Sequence, residues 1–427
     1  MKSKIYTFVA LLATMFAGIV PAMAQNTGTV TDTVLMGPSY ANEVYYSMSA
    51  GEKGAVNRST WDIAFRASRM SASIIINDGS SPNGVELYTY PKSNTSGWAA
   101  VDTSGLSGWT KMYNSISDWE TGAFCVNQKG HPDYGWGIYN SVSHNVMGDS
   151  LFIIKLRDGS FRKIWIMEKY SSDNIFEFRV AKLDNTGDQT IQLDCNPYST
   201  KNFVGYSIST NQVVDFEPVA SNNWDILFTK YMGINNGQPY PVVGVLSNYH
   251  TKVAKFKPVG PDFISTEKAT DSTRSFIGYD WKTFSNETFT YVVTDSLAYF
   301  VQNKSGQLYK LVFKKFAGSS TGRIVFNTQL ISLTGVKETE KSGFNAAVYP
   351  NPVSEVMNLV INPGKARFAV VSLLDISGRM VLSKRYDVQA EELSTLQIPV
   401  SELPSGIYIV KIQAGGNVIS HKVIVNN

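Results

Sequence analysis

The chain has 427 residues, 43% of them hydrophobic, which is enough apolar material for two to four packed domains. Lys plus Arg exceed Asp plus Glu by only 38 − 35 = 3, so a polybasic nucleic-acid binder is excluded. The two cysteines, Cys125 and Cys195, have no metal-type spacing, and export would permit either a disulfide or two buried thiols.

Residues 1–24 read as an export signal. Lys2 and Lys4 precede an apolar run from Tyr6 to Val20, and Ala22-Met23-Ala24 supplies small residues at a cleavage site before Gln25. No later segment reaches the roughly 18 apolar residues of a spanning helix, so the mature chain is expected to have no transmembrane segment.

From there to residue 336 the periodicity is that of strands. Runs such as "SLFIIKL", "KIWIMEKY", "IFEFRVAKL" and "QLYKLVFKKF" are short, branched and aromatic, with Gly, Asn, Asp and Ser between them. The fold class is therefore all-β. The chain also repeats itself. "YSMS" at 46–49 answers "YSIS" at 206–209, and "WDIAF" at 61–65 answers "WDILF" at 224–228. "INDG" answers "INNG", Gly84-Val85 answers Gly244-Val245, and Asp118-Trp119 answers Asp280-Trp281. "DSL" at 149 answers "DSL" at 295, while Gly159 and Lys163 answer Gly306 and Lys310. Two copies of one β unit follow, over 25–197 and 198–336. In each Trp-Asp motif the indole anchors a core and the Asp bonds a neighbouring loop backbone.

The offset between copies falls from 162 to 146 after the Asp-Trp landmark, which gives copy one about 16 additional residues there. They include "GHPDYGWGIYNSVSHNVMG", with two of the four histidines, His131 and His144, and with Tyr134, Trp136, Tyr139 and Met147. A long loop on a rigid sheet is where ligands are met. The histidines are either a ligand pair or exposed loop residues. The aromatics either stack on a ring ligand or pin the loop down.

Residues 337–343 read as a charged linker. Beyond it, 344–427 carries Tyr349-Pro350-Asn351-Pro352, Asp375-Ile376-Ser377-Gly378-Arg379, Leu403-Pro404-Ser405-Gly406-Ile407-Tyr408 and Lys422-Val423-Ile424-Val425. These motifs resemble the type A sorting domain of the type IX secretion system. The resemblance implies an immunoglobulin-like sandwich recognised by that secretion machinery, and release or display at the outer surface of a bacterium of the Bacteroidetes type.

The repeats in turn resemble the HmuY family, through the Tyr-Ser-x-Ser strand, the Trp-Asp-Ile-x-Phe motif, the Asn-x-Gly turn and the Lys-bearing hairpin. That implies two tandem antiparallel β domains of a secreted or outer-membrane-associated protein, and haem as a candidate cofactor. His131 and His144 are then candidate axial ligands, and Tyr134, Trp136, Tyr139 and Met147 candidate pocket residues. Lys155, Arg157 and Arg162 are available for propionates. The expected function is ligand capture at the cell surface, with haem or porphyrin first. The alternative is an adhesin or structural protein whose tandem domains hold a protein or glycan. No catalytic constellation is legible. "GSSTG" at 318–322 lies between two strands, not at a strand-to-helix elbow, and reads as a hairpin loop. An enzyme is not expected.

Overall fold

The computed structural model describes residues 28–79, 84–260, 262–265, 269–333, 344–390, 392, 394–415 and 417–427. The expected signal segment 1–24 and linker 337–343 lie outside the described residues. The chain divides into two compact units, at Gly335/Val336. Both are built from antiparallel sheets, and no helix among the described residues is long and apolar enough to cross a membrane.

The first unit contains two sandwiches with the same plan. In the first sandwich one sheet has the order Gln189–Asp194, Ile175–Ala181, Phe161–Tyr170, Phe152–Lys155, Glu86–Thr89. In the second, the corresponding sheet runs Val30–Leu35, Arg323–Leu333, Gln307–Phe316, Ala298–Gln302, Lys252–Phe256. The facing sheets are also alike. One is Gln212–Val214, Phe203–Ser207, Ile63–Arg66, Ile74–Ile76, and the other is Gly51–Asn57, Asn42–Ser47, Ile226–Asn235, Gln238–Ser247.

These orders interleave the two copies. The "YSMS" strand of copy one pairs with the "WDILF" strand of copy two, Tyr46 opposite Ile226 and Val44 opposite Phe228. The "YSIS" strand of copy two pairs with the "WDIAF" strand of copy one, Tyr206 opposite Ile63 and Val204 opposite Phe65. The register is reciprocal to the residue. The expected division into one domain over 25–197 and another over 198–336 is therefore not how the sheets divide. Copy one donates its first three strands, Val30–Leu35, Asn42–Ser47 and Gly51–Asn57, to the second sandwich, and copy two donates its first two, Phe203–Ser207 and Gln212–Val214, to the first.

The cores obey the same exchange. Ile63, Phe65, Val204 and Tyr206 share the first core with Phe152, Ile164 and Phe178. Val44, Tyr46, Ile226 and Phe228 share the second with Tyr299, Leu311 and Phe326. A strand presents alternate residues to its two faces, and here both faces are covered. Ala64, Ile75 and Phe203 from one inner sheet meet Tyr45, Leu227 and Leu246 from the other in a third apolar cluster, the seam between the sandwiches. That double burial is why "WDIAF" and "WDILF" are apolar almost throughout. It also corrects the role given to the tryptophans. Trp61 and Trp224 stand just before their strands and pack in the seam, not in either sandwich core.

The second unit is a sandwich of a three-stranded sheet, Phe344–Tyr349, Val356–Pro363, Ser394–Pro399, and a four-stranded one, Met380–Asp387, Phe368–Asp375, Gly406–Ala414, Asn417–Val425. Its sequence motifs are its fasteners. The Asn351 side chain accepts from the Ile424 amide at 2.8 Å and donates to the Lys422 carbonyl at 2.9 Å, which ties the "YPNP" turn to the last strand. Asp375 accepts the amides of Ser377 (2.9 Å) and Arg379 (3.1 Å), closing the turn in which Gly378 has φ 81°. The Tyr408 hydroxyl donates to the Pro404 carbonyl at 2.8 Å.

Candidate functional sites and relatives

The predicted ligand residues sit on and before a small hairpin, Gly137–Tyr139 against Val146–Gly148, which adds to the edge of Phe161–Tyr170. The hairpin lies close against that strand. A Cβ added to Gly148 would stand 1.7 Å from the Ile166 carbonyl oxygen, so only glycine fits.

His131 and His144 are both exposed and both neighbour Tyr139, His131 with ring centroids 5.0 Å apart and His144 at 6.1 Å. The Tyr139 hydroxyl and His144 Nδ1 share a hydrogen bond of 2.7 Å. Tyr139 thus neighbours both rings, an arrangement unlike two imidazoles facing each other across an open slot, as axial ligation on both sides of a porphyrin requires. Trp136 is not a pocket residue either. It is fully buried in the first core and donates its indole N–H to the Ala72 carbonyl at 2.9 Å. Tyr134 is partly buried against that core, while Met147, Ile138 and Val142 are exposed on the hairpin. Arg157 is committed elsewhere: it reaches Asp62 at 2.7 Å and the Trp61 carbonyl at 2.7 Å.

The hairpin is not additional to copy one. Copy two has its own, Lys282–Ser285 against Thr290–Val293. Each follows directly on a fully buried tryptophan, Trp136 in the first core and Trp281 in the second. The counterpart of Trp281 is therefore Trp136, whereas Trp119, its match by motif, lies in the seam with its N–H on the Ser247 carbonyl. The register also pairs Leu87 with Val253, through their partners Ile154 and Val301. Between these anchors copy one has 136 − 87 = 49 residues and copy two 281 − 253 = 28. The additional length in copy one thus precedes the histidine hairpin. Part of it forms the turns Thr95–Ala100 and Leu106–Gly108, which cover the outer face of the first sandwich.

The seam gathers the two motif aspartates, whose backbone bonds the sequence foretold, with further buried charges that carry no sequence signal. Asp62 accepts the Ile208 amide at 2.8 Å and Asp225 accepts the Met48 amide at 2.7 Å, each across the exchange. Asn77 and Asn248 each donate to the carbonyl of the tryptophan before those aspartates. Around a cavity of about 40 Å³ lie Glu43, Asp78, Glu217, Arg58, Arg274, Trp61 and Trp224. Burial pushes the Glu217 carboxyl up to about 7 and Asp78 up to about 6, against backbone amides that favour their ionised forms. Burial likewise lowers Arg58 to about 10. The carboxylates are engaged: Glu217 accepts the amides of Asn202 and Phe203, both at 3.0 Å, and Asp78 that of Asn114 at 3.0 Å. The indole N–H groups of Trp61 and Trp224 and Nε of Arg58 and Arg274 have no protein acceptor. A polar cavity of this size has room for a water, not for a substrate. No His recurs in it, so no sequence signal separated these charges from ordinary surface ones. Cys125 and Cys195 are both free and buried in the first core, and burial pushes each thiol up to about 12.

Comparison with known proteins decides one end of the chain. Residues 347–426 match the family model described as the secretion system C-terminal sorting domain. The chain carries a type IX sorting domain. It is exported, to the cell surface or beyond it, and its terminal sandwich is the part addressed to the secretion machinery. The match leaves residues 28–333 outside it. No curated protein matches the chain. Among solved structures, dimeric latent PorU from Porphyromonas gingivalis is similar at 12% identity and a TM-score of 0.17, over 80% of this chain and 34% of that one. PorZ, described as an essential bacterial surface component of the type-IX secretion system of the same organism, is similar at 11% identity and a TM-score of 0.15, over 68% of this chain and 44% of that one. This chain therefore spans less than half of either. At such scores the likeness carries no argument about the paired sandwiches.

Proposed function

We propose that the exported chain is a non-enzymatic capture protein, that the hairpin over 137–148 is the edge that meets its ligand, and that haem is that ligand. The observation that carries the reading is the state of His144. Its Nδ1 is held by the Tyr139 hydroxyl at 2.7 Å, which fixes the ring and leaves Nε2 as the ligating atom. Its backbone sits at φ 60°, a left-handed conformation costly for most side chains and associated with functional positions. Exposed Ile138, Val142 and Met147 on the same hairpin offer apolar surface to a porphyrin face. The resemblance of the repeats to the HmuY family supports the same ligand. These residues fit one axial ligand rather than two. The non-enzymatic reading is supported by the seam, where the buried carboxylates of Glu217 and Asp78 are occupied by backbone amides.

Haemin titrated into the full chain tests this. The expected result is a saturable Soret shift at micromolar haemin that His144→Asn abolishes and His131→Asn leaves. Asn is chosen because it tolerates the left-handed backbone. An unshifted Soret band, or a shift indifferent to His144→Asn, removes haem. The adhesive reading then takes its place, favoured by the exposed Phe284, Phe289 and Val292 on the second hairpin.

A further inference from the structure

The seam cavity is small, about 40 Å³, and both copies line it. Arg58 and Trp61 reach it from copy one, Trp224 and Arg274 from copy two. On each of these four residues one N–H is buried without a protein acceptor: Nε1 of the two indoles and Nε of the two guanidiniums. All four side chains are more than nine-tenths buried, with exposures of 5% for Arg58, 5% for Trp61, 3% for Trp224 and 7% for Arg274. A buried donor left unbonded costs more than its hydrogen bond would have contributed, so four around one cavity call for an occupant. The indoles are the matched residues of the two Trp-Asp motifs, so the repeat itself brings one donor from each copy to this place.

The occupant must be an acceptor, which excludes a cation. A water accepts two donors at most and has two hydrogens of its own to place. A halide has no hydrogens and accepts from every side. Chloride is only slightly larger than the water such a cavity admits. The charges on the wall suit it. Arg58, Arg274 and Lys230 line the cavity together with Glu43, Asp78 and Glu217. The carboxyls have donors of their own. Glu43 accepts the hydroxyls of Tyr45 at 3.3 Å and Thr229 at 3.2 Å, Glu217 accepts two backbone amides, and Asp78 accepts one. Burial pushes all three toward their uncharged forms, while Arg58, lowered to about 10, stays cationic at neutral pH. The wall is therefore basic on balance.

We propose that the seam cavity is a chloride-binding site, in which one halide ion accepts hydrogen bonds from Trp61, Trp224, Arg58 and Arg274 and fastens the two copies where they interleave. The ion completes the polar bonding of a seam that neither copy completes alone. It makes the stability of the paired sandwiches depend on chloride. The site is separate from the histidine hairpin and independent of haem binding there.

Thermal unfolding of the full chain, followed by indole emission, tests this. All eight tryptophans precede Val336, so the signal belongs to the first unit. Sodium chloride is compared with sodium gluconate at equal ionic strength, gluconate being too large for the cavity. The expected result is a saturable rise of the midpoint in chloride, on the order of 2 °C, which bromide reproduces. Trp61→Phe and Trp224→Phe each keep a ring and remove one donor. Each is expected to weaken the chloride dependence about threefold to tenfold, the scale of one hydrogen bond. Trp109→Phe, in the cluster on the outer face, is expected to leave it intact. The width of the chlorine NMR line reads binding on the folded native chain without any variant, and excess broadening that bromide reverses is expected. Equal midpoints in chloride and gluconate, or a chlorine line that the chain does not broaden, overturns the proposal and leaves water in the cavity. So does a chloride effect undiminished in both tryptophan variants, which places the ion elsewhere.

Discussion

The two copies lay down the same strands and then finish them differently. At the hairpin tips, His144 at φ 60° in copy one corresponds to Phe289 at φ 51° in copy two, each 145 residues from its counterpart as Trp136 is from Trp281. Tyr139, which holds the imidazole, corresponds to Phe284, which packs on Tyr291 with centroids 5.2 Å apart. At the seam, Arg157 corresponds to Lys304, which bonds the Asn222 side chain rather than a carboxylate. On the outer faces, the Trp98 cluster of one half corresponds in the other to a smaller cluster in which Val259, Phe263 and Ala269 lie with Phe300, Leu308 and Val312. The shared parts are those that pair or pack across the exchange. The differing parts face solvent, where packing imposes nothing and ligand chemistry is free to act.

The exchange itself is open to the severest test. A fragment of residues 25–197 contains one whole copy but lacks Phe203–Ser207, and with it Val204 and Tyr206 of the first core. A fragment of 61–219 cuts across the copies and contains every strand of the first sandwich. Losing a paired inner strand exceeds the roughly 5–15 kcal/mol that holds a domain together. The expectation is that 61–219 unfolds cooperatively in urea, while 25–197 shows no transition and recovers one only on mixing with 198–336. Cooperative unfolding of 25–197 alone would break the comparison at its root.

A smaller effect separates the two aspartates. Both accept a backbone amide from the opposite copy, but only Asp62 also pairs with an arginine, Arg157, at 2.7 Å. Asp62→Ala strands that partly buried guanidinium and is expected to cost about 3–5 kcal/mol. Asp225→Ala leaves an amide and a hydroxyl without their acceptor and is expected to cost about 1–3 kcal/mol. Urea midpoints at constant slope measure both. Equal losses, or a larger one at Asp225, would mean that the Arg157 pair adds nothing to the seam.

What the sequence disclosed follows from the range of each signal. Strand periodicity, the Trp-Asp motif and the Lys-bearing hairpin are local, and they located the repeat and the all-β class correctly. The Asp62 bond to a loop backbone was legible too, because an aspartate beside a buried tryptophan needs an acceptor's role. The exchange was not legible, since "YSMS" is equally able to pair with "WDIAF" or "WDILF": the two strands differ at one residue, Ala64 against Leu227. Several landmarks misled because they match by letters alone. "INNG" ends the long hairpin of Ile226–Asn235 with Gln238–Ser247, whereas "INDG" follows the short strand Ile74–Ile76. Trp119 and Trp281 share a preceding Asp but lie in different clusters. The sequence reads both histidines as part of one long inserted loop, whereas only His144 lies on the hairpin and His131 precedes it, and Tyr139 beside both rings is a matter of side-chain packing that spacing does not encode.

The smallest expected effect concerns the hairpin tips and distinguishes function from accident. A left-handed backbone suits Asn or Gly, and a bulky residue there is strained by roughly 1 kcal/mol or more. Phe289 is 78% exposed, so Asn in its place loses little packing, and Phe289→Asn is expected to raise stability by about 0.5–1 kcal/mol. His144→Asn relieves similar strain but also removes the bond to Tyr139, and these offset to within about 0.5 kcal/mol. Thermal unfolding of the two variants side by side measures the difference. If His144→Asn stabilises as much as Phe289→Asn, the imidazole is not held by its neighbour, and the fixed ring on which ligation depends is lost. If it does not, strain is retained at that tip for a side chain the fold itself does not need.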